Sequence, residues 1–265
     1  MPTSSHGSFI RREAAESYGA DAERYDRTRP RYPDALLERI IATSPGRDVL
    51  DVGTGTGIAG LAFQARGCRV LGVEPDARMA EFARGKGLAV EVAKFEDWDP
   101  AGRTFDAVVA GTVWHWVDPV AGAGQAARVL RPGGRLALLW NAFQPSPEVA
   151  EAFTDAYARA LPDLPFDWRR LSGTEAYAQV SGPATDGIHK AAAFDEPEEW
   201  HFGWERSYTR AEWLDQVPTF GGHNRLPARR LDALLTGLGE AVDAMGGAFV
   251  MHYTALVLTA VRTRP

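Results

Sequence analysis

Short apolar runs alternate with helical stretches along the middle of the chain, and this rhythm is its first structural signal. ALLERIIA (35–42) places apolar residues on one face of a short helix, after two prolines that stop any helix in the polar stretch before it. From Asp48 the pattern tightens. DVLDVG (48–53) reads as a strand, GIAGLAFQARG (57–67) as a helix, CRVLGVEP (68–75) as a strand and DARMAEFARGKG (76–87) as a helix. LAVEVAKFEDW (88–98) and FDAVVAG (105–111) give two more strands, QAARVL (125–130) a helix, and RLALLW (135–140) a fifth strand after the turn RPGG. Such alternation predicts a doubly wound, mostly parallel α/β sheet with right-handed crossovers.

After Trp140 the alternation stops. Residues 141–199 read as irregular and helical, with five prolines from Pro145 to Pro183. HFGWERSYT (201–209) and FVMHYTALVLTAV (249–261) read as strands that complete the same sheet, with helices at 209–217 and 227–242 between them. The expected organisation is an N-terminal lid segment over 1–33, a cofactor-binding core over 34–140, and a helical cap with the last two strands over 141–265.

Composition narrows the class. The chain has 265 residues, 45% hydrophobic and 24% charged, as in an ordinary globular protein. Its net charge of −6, with no Lys/Arg block, is a poor match for a phosphate backbone, so no nucleic-acid partner is expected. Cys68 is the single cysteine, which excludes an intrachain disulfide and a cysteine-based metal site and suits a small buried residue near a strand start. No apolar run approaches the ~18 residues of a membrane span, and the start of the chain lacks a signal-peptide core, so a cytoplasmic protein without a membrane partner is expected. Nothing in the sequence sets an oligomeric state.

The candidate chemistry begins at Asp51-Val-Gly-Thr-Gly-Thr-Gly57, between a strand and a helix. In an open α/β sheet, ligands bind beyond the carboxyl ends of the strands, where glycines admit close approach and free amides with a helix dipole attract an anion. Glu74, 17 residues past Gly57, is placed to meet a ribose diol. A dinucleotide fingerprint needs a glycine where Ile58 stands, so the G-x-G-x-G spacing disfavours a nicotinamide oxidoreductase.

These segments resemble the class I S-adenosylmethionine-dependent methyltransferases. VLDVGTGTGIAG (49–60) is similar to the family's first motif and VEPDARM (73–79) to its second. FEDW (95–98), VVAGTVWHWVDP (108–119) and VLRPGGRLALLW (129–140) follow in order. The match covers about residues 15–140. The segments YGADAERYDRTRPRYP and YTRAEWLDQV…GGHNRLP resemble small-molecule enzymes of bacterial, largely actinobacterial, type. The resemblance implies a seven-stranded sheet with a helical cap, S-adenosylmethionine as cofactor and a small-molecule acceptor methylated on O, N or C. A cofactor-binding regulatory protein without turnover is the non-enzymatic alternative.

The resemblance also implies residue roles. Gly53, Thr54 and Gly55 line the methionine moiety, and Asp51 braces the loop or meets the ammonium. Glu74 accepts both ribose hydroxyls, Met79 packs near the adenine, and Pro75 is counted among the cofactor-binding residues. Phe95 offers its backbone N–H to the adenine edge. Lys94 stands where an acid is usual and cannot accept from the adenine amino group, which leaves Glu96 or a backbone carbonyl. Gly111 and Thr112 lie under the sulfonium, and Arg29 either holds the cofactor carboxylate or is a solvated surface arginine.

A base is needed only if the acceptor must lose a proton. His115, in Trp114-His115-Trp116, is the base candidate nearest the expected methyl, or else it packs and hydrogen-bonds beneath the cofactor. His223 is the second candidate, or else a histidine of a surface loop. Trp168, Trp200, Trp204 and Trp213 form either an aromatic pocket or core.

Overall fold

The computed structural model describes residues 18–164, 167–170 and 175–263. A helix absent from the sequence-based expectation opens it: α1 (Ala22–Thr28), capped by the Asp21 carboxylate, which accepts from Arg24 N. Helix α2 (Asp34–Ala42) follows Pro33 and buries Leu36, Leu37 and Ile40. The expected alternation then appears as β1 (Asp48–Val52), α3 (Ile58–Gln64), β2 (Arg69–Glu74), α4 (Ala77–Gly85) and β3 (Ala89–Val92). After it come β4 (Phe105–Gly111), α5 (Pro119–Val129) and β5 (Leu130–Gln144).

The rest of the chain holds α6 (Pro147–Ala160), α7 (Glu175–Ala191), β6 (Glu198–Thr209), α8 (Arg210–Gln216), α9 (Ala228–Ala244) and β7 (Ala248–Val261). Capping chemistry marks several of these starts. Ser146 accepts from Val149 N ahead of Pro147 on α6, and Thr209 and Glu212 form a reciprocal capping box on α8. Several expected elements differ in length, among them the helix expected over 125–130, which starts at Pro119. The strand expected over 88–98 stops at Val92 and passes into a 3-10 turn at Phe95–Asp97, while β5 runs well past both ends of RLALLW.

The seven strands form one sheet in the order β3-β2-β1-β4-β5-β7-β6. Strands β1 to β5 pair in parallel, with Leu50 opposite Leu71 on one side and Val108 on the other. β7 runs antiparallel to β5, because bonds pair Gly133 and Gly134 with Arg262 but Gln144 with Thr254. The bonds Asp195 to Val261 and Arg210 to Gly247 reverse β6 against β7 in the same way. This is the doubly wound, mostly parallel fold that the alternation predicts. From β1 the chain winds outward to β2 and β3, then returns to β4 on β1's other side. The carboxyl ends of β1 and β4 therefore flank the switch point where such sheets bind ligands.

By its internal contacts the described chain divides into two units. One comprises Arg31–Asn141, Ala178–Phe202 and 255–263; the other comprises 18–30, Ala142–Tyr177 and Gly203–Thr254. The first unit thus takes in Ala178–Phe202 and the end of β7. The second unit's core is aromatic. Trp213, fully buried, stacks on Phe153 at 5.2 Å and meets Phe249 edge-on at 5.1 Å; Trp168 and Phe220 pack beside it. Trp204 stacks on Tyr253 at 4.3 Å. In the first unit Trp200 is buried between the guanidinium groups of Arg39 (4.0 Å) and Arg135 (4.9 Å). Of the two readings of these tryptophans, core is the one that describes their packing.

Candidate functional site

The loop after β1 is shaped by its glycines. Gly53 has φ +60°, and a Cβ there would fall 2.2 Å from Val113 Cγ2, so this position admits only glycine. Gly53 N and Thr54 N both donate to Val73 O, Gly57 N donates to Thr54 O, and Gly55 N donates to Glu74 Oε2. These four amides are thus already engaged within the protein, and α3 has only seven residues. Four of the loop's amides therefore serve the fold itself, and the open face of the loop is at Gly55. A Cβ there would find its nearest neighbours, Met79 Cε and Gly53 O, at 3.7 and 3.9 Å.

Two buried acids frame this loop. Asp51 is 1% exposed; its Oδ2 accepts from Thr54 Oγ1 at 2.5 Å and from Gly60 N at 2.9 Å. Its Oδ1 is buried with no hydrogen-bond partner among the described residues, and burial pushes its carboxyl up to about 6. At the end of β2, Glu74 Oε2 accepts from Gly55 N and Oε1 from Asp76 N, both at 2.9 Å. Burial again dominates and pushes this carboxyl up to about 7. Each Glu74 oxygen retains acceptor capacity beyond its one backbone bond. Two such oxygens side by side match a vicinal diol.

Met79 is buried beneath the loop. Phe95 is buried in its 3-10 turn with its ring 6.2 Å from that of Trp114, while Pro75 and Lys94 are exposed. Glu96 Oε1 accepts from Asp118 N, which ties the turn to the start of α5. Arg103 forks onto Glu91, holding that carboxyl below its usual range, and Trp98 Nε1 donates to the same group. This knot ties β3 to the segment before β4, while β3 itself ends at Val92, opposite Glu74 where β2 ends.

At the end of β4, Gly111 and Thr112 meet a residue that the motifs do not mark. Tyr32 Oη lies 3.1 Å from Thr112 Oγ1, and a Cβ on Gly111 would fall 2.8 Å from the same hydroxyl. The signal was its position between Pro30 and Pro33 in a segment that reads only as polar lid. Thr112 has φ +55°, rare for a β-branched residue, and donates its N–H to Leu139 O at 2.7 Å. In the next turn Trp114 is buried, whereas His115 is exposed with its ring 4.8 Å from that of Trp116.

Arg29 and His223 belong to the second unit. Arg29 ends α1, with its guanidinium 5.2 Å from the Tyr25 ring and 5.8 Å from that of Phe220. It is packed on aromatic rings rather than simply solvated. His223 is buried, not a surface-loop residue: its Nε2 is 2.8 Å from Tyr157 Oη, and burial lowers its pKa below the usual histidine value. Asp51, Gly53, Thr54, Gly55, Glu74 and Met79 are brought together by direct contacts, and Gly111 and Thr112 by Tyr32. Val113 joins the two sets through its contact with Gly53. Among the described residues no group of three His, Cys, Asp or Glu could hold a metal ion, and no helix is long and apolar enough to cross a membrane.

A family model described as a methyltransferase domain matches residues 25–244. An uncharacterized methyltransferase of Mycobacterium tuberculosis is 38% identical over 134 residues, 49% of this chain and 54% of that one. A demethylmenaquinone methyltransferase of Corynebacterium kroppenstedtii is 26% identical over 161 residues, 58% of this chain and 70% of that one. The chain thus spans about half the length of the mycobacterial relative. Among solved structures, a proposed type II methyltransferase of Anaeromyxobacter dehalogenans superposes with a TM-score of 0.65 at 23% identity. That match covers 89% of this chain and 99% of that one, a likeness of fold.

Proposed function

The chain belongs to the class I S-adenosylmethionine-dependent methyltransferases, and from that premise we propose that it transfers the donor's methyl group to a small-molecule acceptor. The Glu74 carboxylate carries the reading. Its two oxygens, each with one backbone donor, sit side by side at the end of β2, next to the loop that leaves β1, as a diol acceptor. The orphaned Asp51 Oδ1 and the open face of Gly55 are a second sign of fit, since a buried acceptor without a donor invites an ammonium or a hydrogen-bonded water.

Bound there, S-adenosylmethionine would supply an electrophilic methyl group for displacement from its sulfur by an acceptor's lone pair. The protein's residues hold and orient. Glu74 takes both ribose hydroxyls, Met79 and Phe95 bound the adenine with Pro75 at the rim, and Gly53, Thr54, Gly55 and Asp51 receive the amino-acid end. Because Glu96 is engaged at the start of α5, the adenine amino group has either that carboxylate's remaining lone pairs or a backbone carbonyl. Gly111 and Thr112 underlie the reacting centre, and His115, exposed in the turn that follows them, is the candidate to take a proton from a hydroxyl acceptor. Arg29 and His223 support the second unit.

The small-molecule acceptor rests on the net charge of −6 and on the demethylmenaquinone relative. The test is an assay for S-adenosylhomocysteine release with a panel of phenols, quinols, amines and carboxylic acids, alongside ribosomal RNA and protein. Turnover with members of the small-molecule panel is expected. Turnover confined to the macromolecules would overturn the acceptor class.

A further inference from the structure

The aromatic core of the second unit has a polar centre that packing alone does not explain. Tyr208 on β6 and Tyr253 on β7, both buried, bring their hydroxyls to 2.6 Å from one another. Burial pushes both phenols above the usual tyrosine range, so each keeps its proton. One proton fills the bond between the two oxygens, and the other is left to donate elsewhere. Gln216, fully buried at the end of α8, acts on both phenols, yet its Oε1 and Nε2 complete no hydrogen bond among the described residues. One turn earlier on the same helix, Trp213 Nε1 is likewise buried without a partner. An unpaired buried amide lowers stability, and an apolar side chain of the same shape would spare the fold that loss. The amide therefore calls for a reason outside the packing.

We propose that Gln216, Tyr208 and Tyr253 form a recognition site for the methyl acceptor, and that the group they recognise is a hydroxyl on a planar aromatic ring. This rests on the reading of the chain as a small-molecule methyltransferase. The site offers donors, the spare phenol proton and the Gln216 N–H groups, together with an acceptor, Gln216 Oε1. A hydroxyl donates and accepts through one oxygen, so it meets both needs at once. A carboxylate cannot donate to Oε1, and an ammonium cannot accept from the donors. Arg206, whose guanidinium lies 4.5 Å from the Tyr208 ring, and Arg29 both place positive charge on Tyr208, which disfavours an ammonium further. The surroundings suit a flat ring: Trp204 stacks on Tyr253 at 4.3 Å, Phe143 lies 5.2 Å from the same ring, and Trp213 lies 5.2 Å from that of Tyr208. Next to Gln216, Asp215 pairs with Arg24 and Arg27 of α1, and Arg206 donates to Thr28 O at the end of that helix. These contacts lay α1 against α8. Exposed ion pairs hold weakly, so displacement of α1 gives a route to Gln216.

The test pairs binding with stability. Calorimetry on the full chain, in the presence of S-adenosylhomocysteine, compares 2-naphthol, its methyl ether and naphthalene-2-carboxylate on wild type and on Gln216→Met, and both proteins are melted without ligand. Wild type should bind 2-naphthol about tenfold more tightly than the ether or the carboxylate, and Gln216→Met should lose about tenfold of that affinity. The same variant should melt at or above the wild-type temperature, because methionine fills the space without an unpaired amide. A variant that melts several degrees lower, or fails to fold, would show that the amide is satisfied inside the fold by a structural water, and would overturn the proposal. Unselective binding, preference for the carboxylate, no binding of the naphthol, or a Gln216→Met variant that binds it as wild type does would overturn it as well. Each of those results leaves the methyltransferase reading intact as long as S-adenosylhomocysteine binds. If it does not bind, both fall.

Discussion

At pH 7 the Glu74 carboxyl sits near the midpoint of its own titration, because burial pushes it up to about 7. Ribose hydroxyls donating to it favour the charged form, so donor binding expels a proton. Affinity for S-adenosylhomocysteine should therefore rise about tenfold between pH 6 and pH 8. Glu74→Gln should flatten that slope and weaken binding at pH 8 by about 1.5–3 kcal/mol, as measured by calorimetry at several pH values. A wild-type affinity that is flat across the range would mean that Glu74 is not the diol ligand. His115 makes the opposite contrast. Its ring is exposed, so His115→Asn should keep S-adenosylhomocysteine affinity within about twofold. A drop in turnover of ~10²–10⁴ at unchanged affinity would give it the base role, and a joint fall of turnover and affinity would give it a packing role.

Elements show which features a sequence carries locally and which only the fold supplies. The loop from Asp51 to Gly57 was legible because its glycines, acid and flanking strand and helix lie within a dozen positions. The early end of β3 was not, since β3 pairs with β2 only as far as Val92 opposite Glu74, where β2 itself ends. Tyr32 was missed for a related reason: its partner Thr112 is 80 residues away, and no local pattern marks that pairing. Tryptophan spacing alone could not divide core from pocket either; the rings packed around Trp213 decide it. Trp213→Ala should accordingly destabilise the protein by about 3–5 kcal/mol in denaturant titration, the usual cost of deleting a buried aromatic side chain. A loss below about 1 kcal/mol would show that the site is not tightly packed.

In the whole molecule, the buried groups pull stability in opposite directions with pH. Asp51 and Glu74 have folded-state pKa values raised to about 6 and about 7, so their contribution is full below about pH 4 and is lost as pH rises through those values. His223 is depressed by burial; its contribution is present above its unfolded pKa and is lost as pH falls through the folded one. Donor binding offsets the carboxylate cost, so the rise in melting temperature at a fixed S-adenosylhomocysteine concentration should be larger at pH 8 than at pH 6. At a concentration of 100 times Kd the stabilisation is about 2.7 kcal/mol. An equal or smaller gain at pH 8 would contradict this linkage. The most direct test of the central claim, that the switch point between β1 and β4 holds S-adenosylmethionine, is a calorimetric titration of the wild-type chain with S-adenosylhomocysteine and, separately, with NADH. The account predicts micromolar binding of S-adenosylhomocysteine, about −7 to −8 kcal/mol, and no measurable binding of NADH. Binding of NADH in preference to S-adenosylhomocysteine would contradict it.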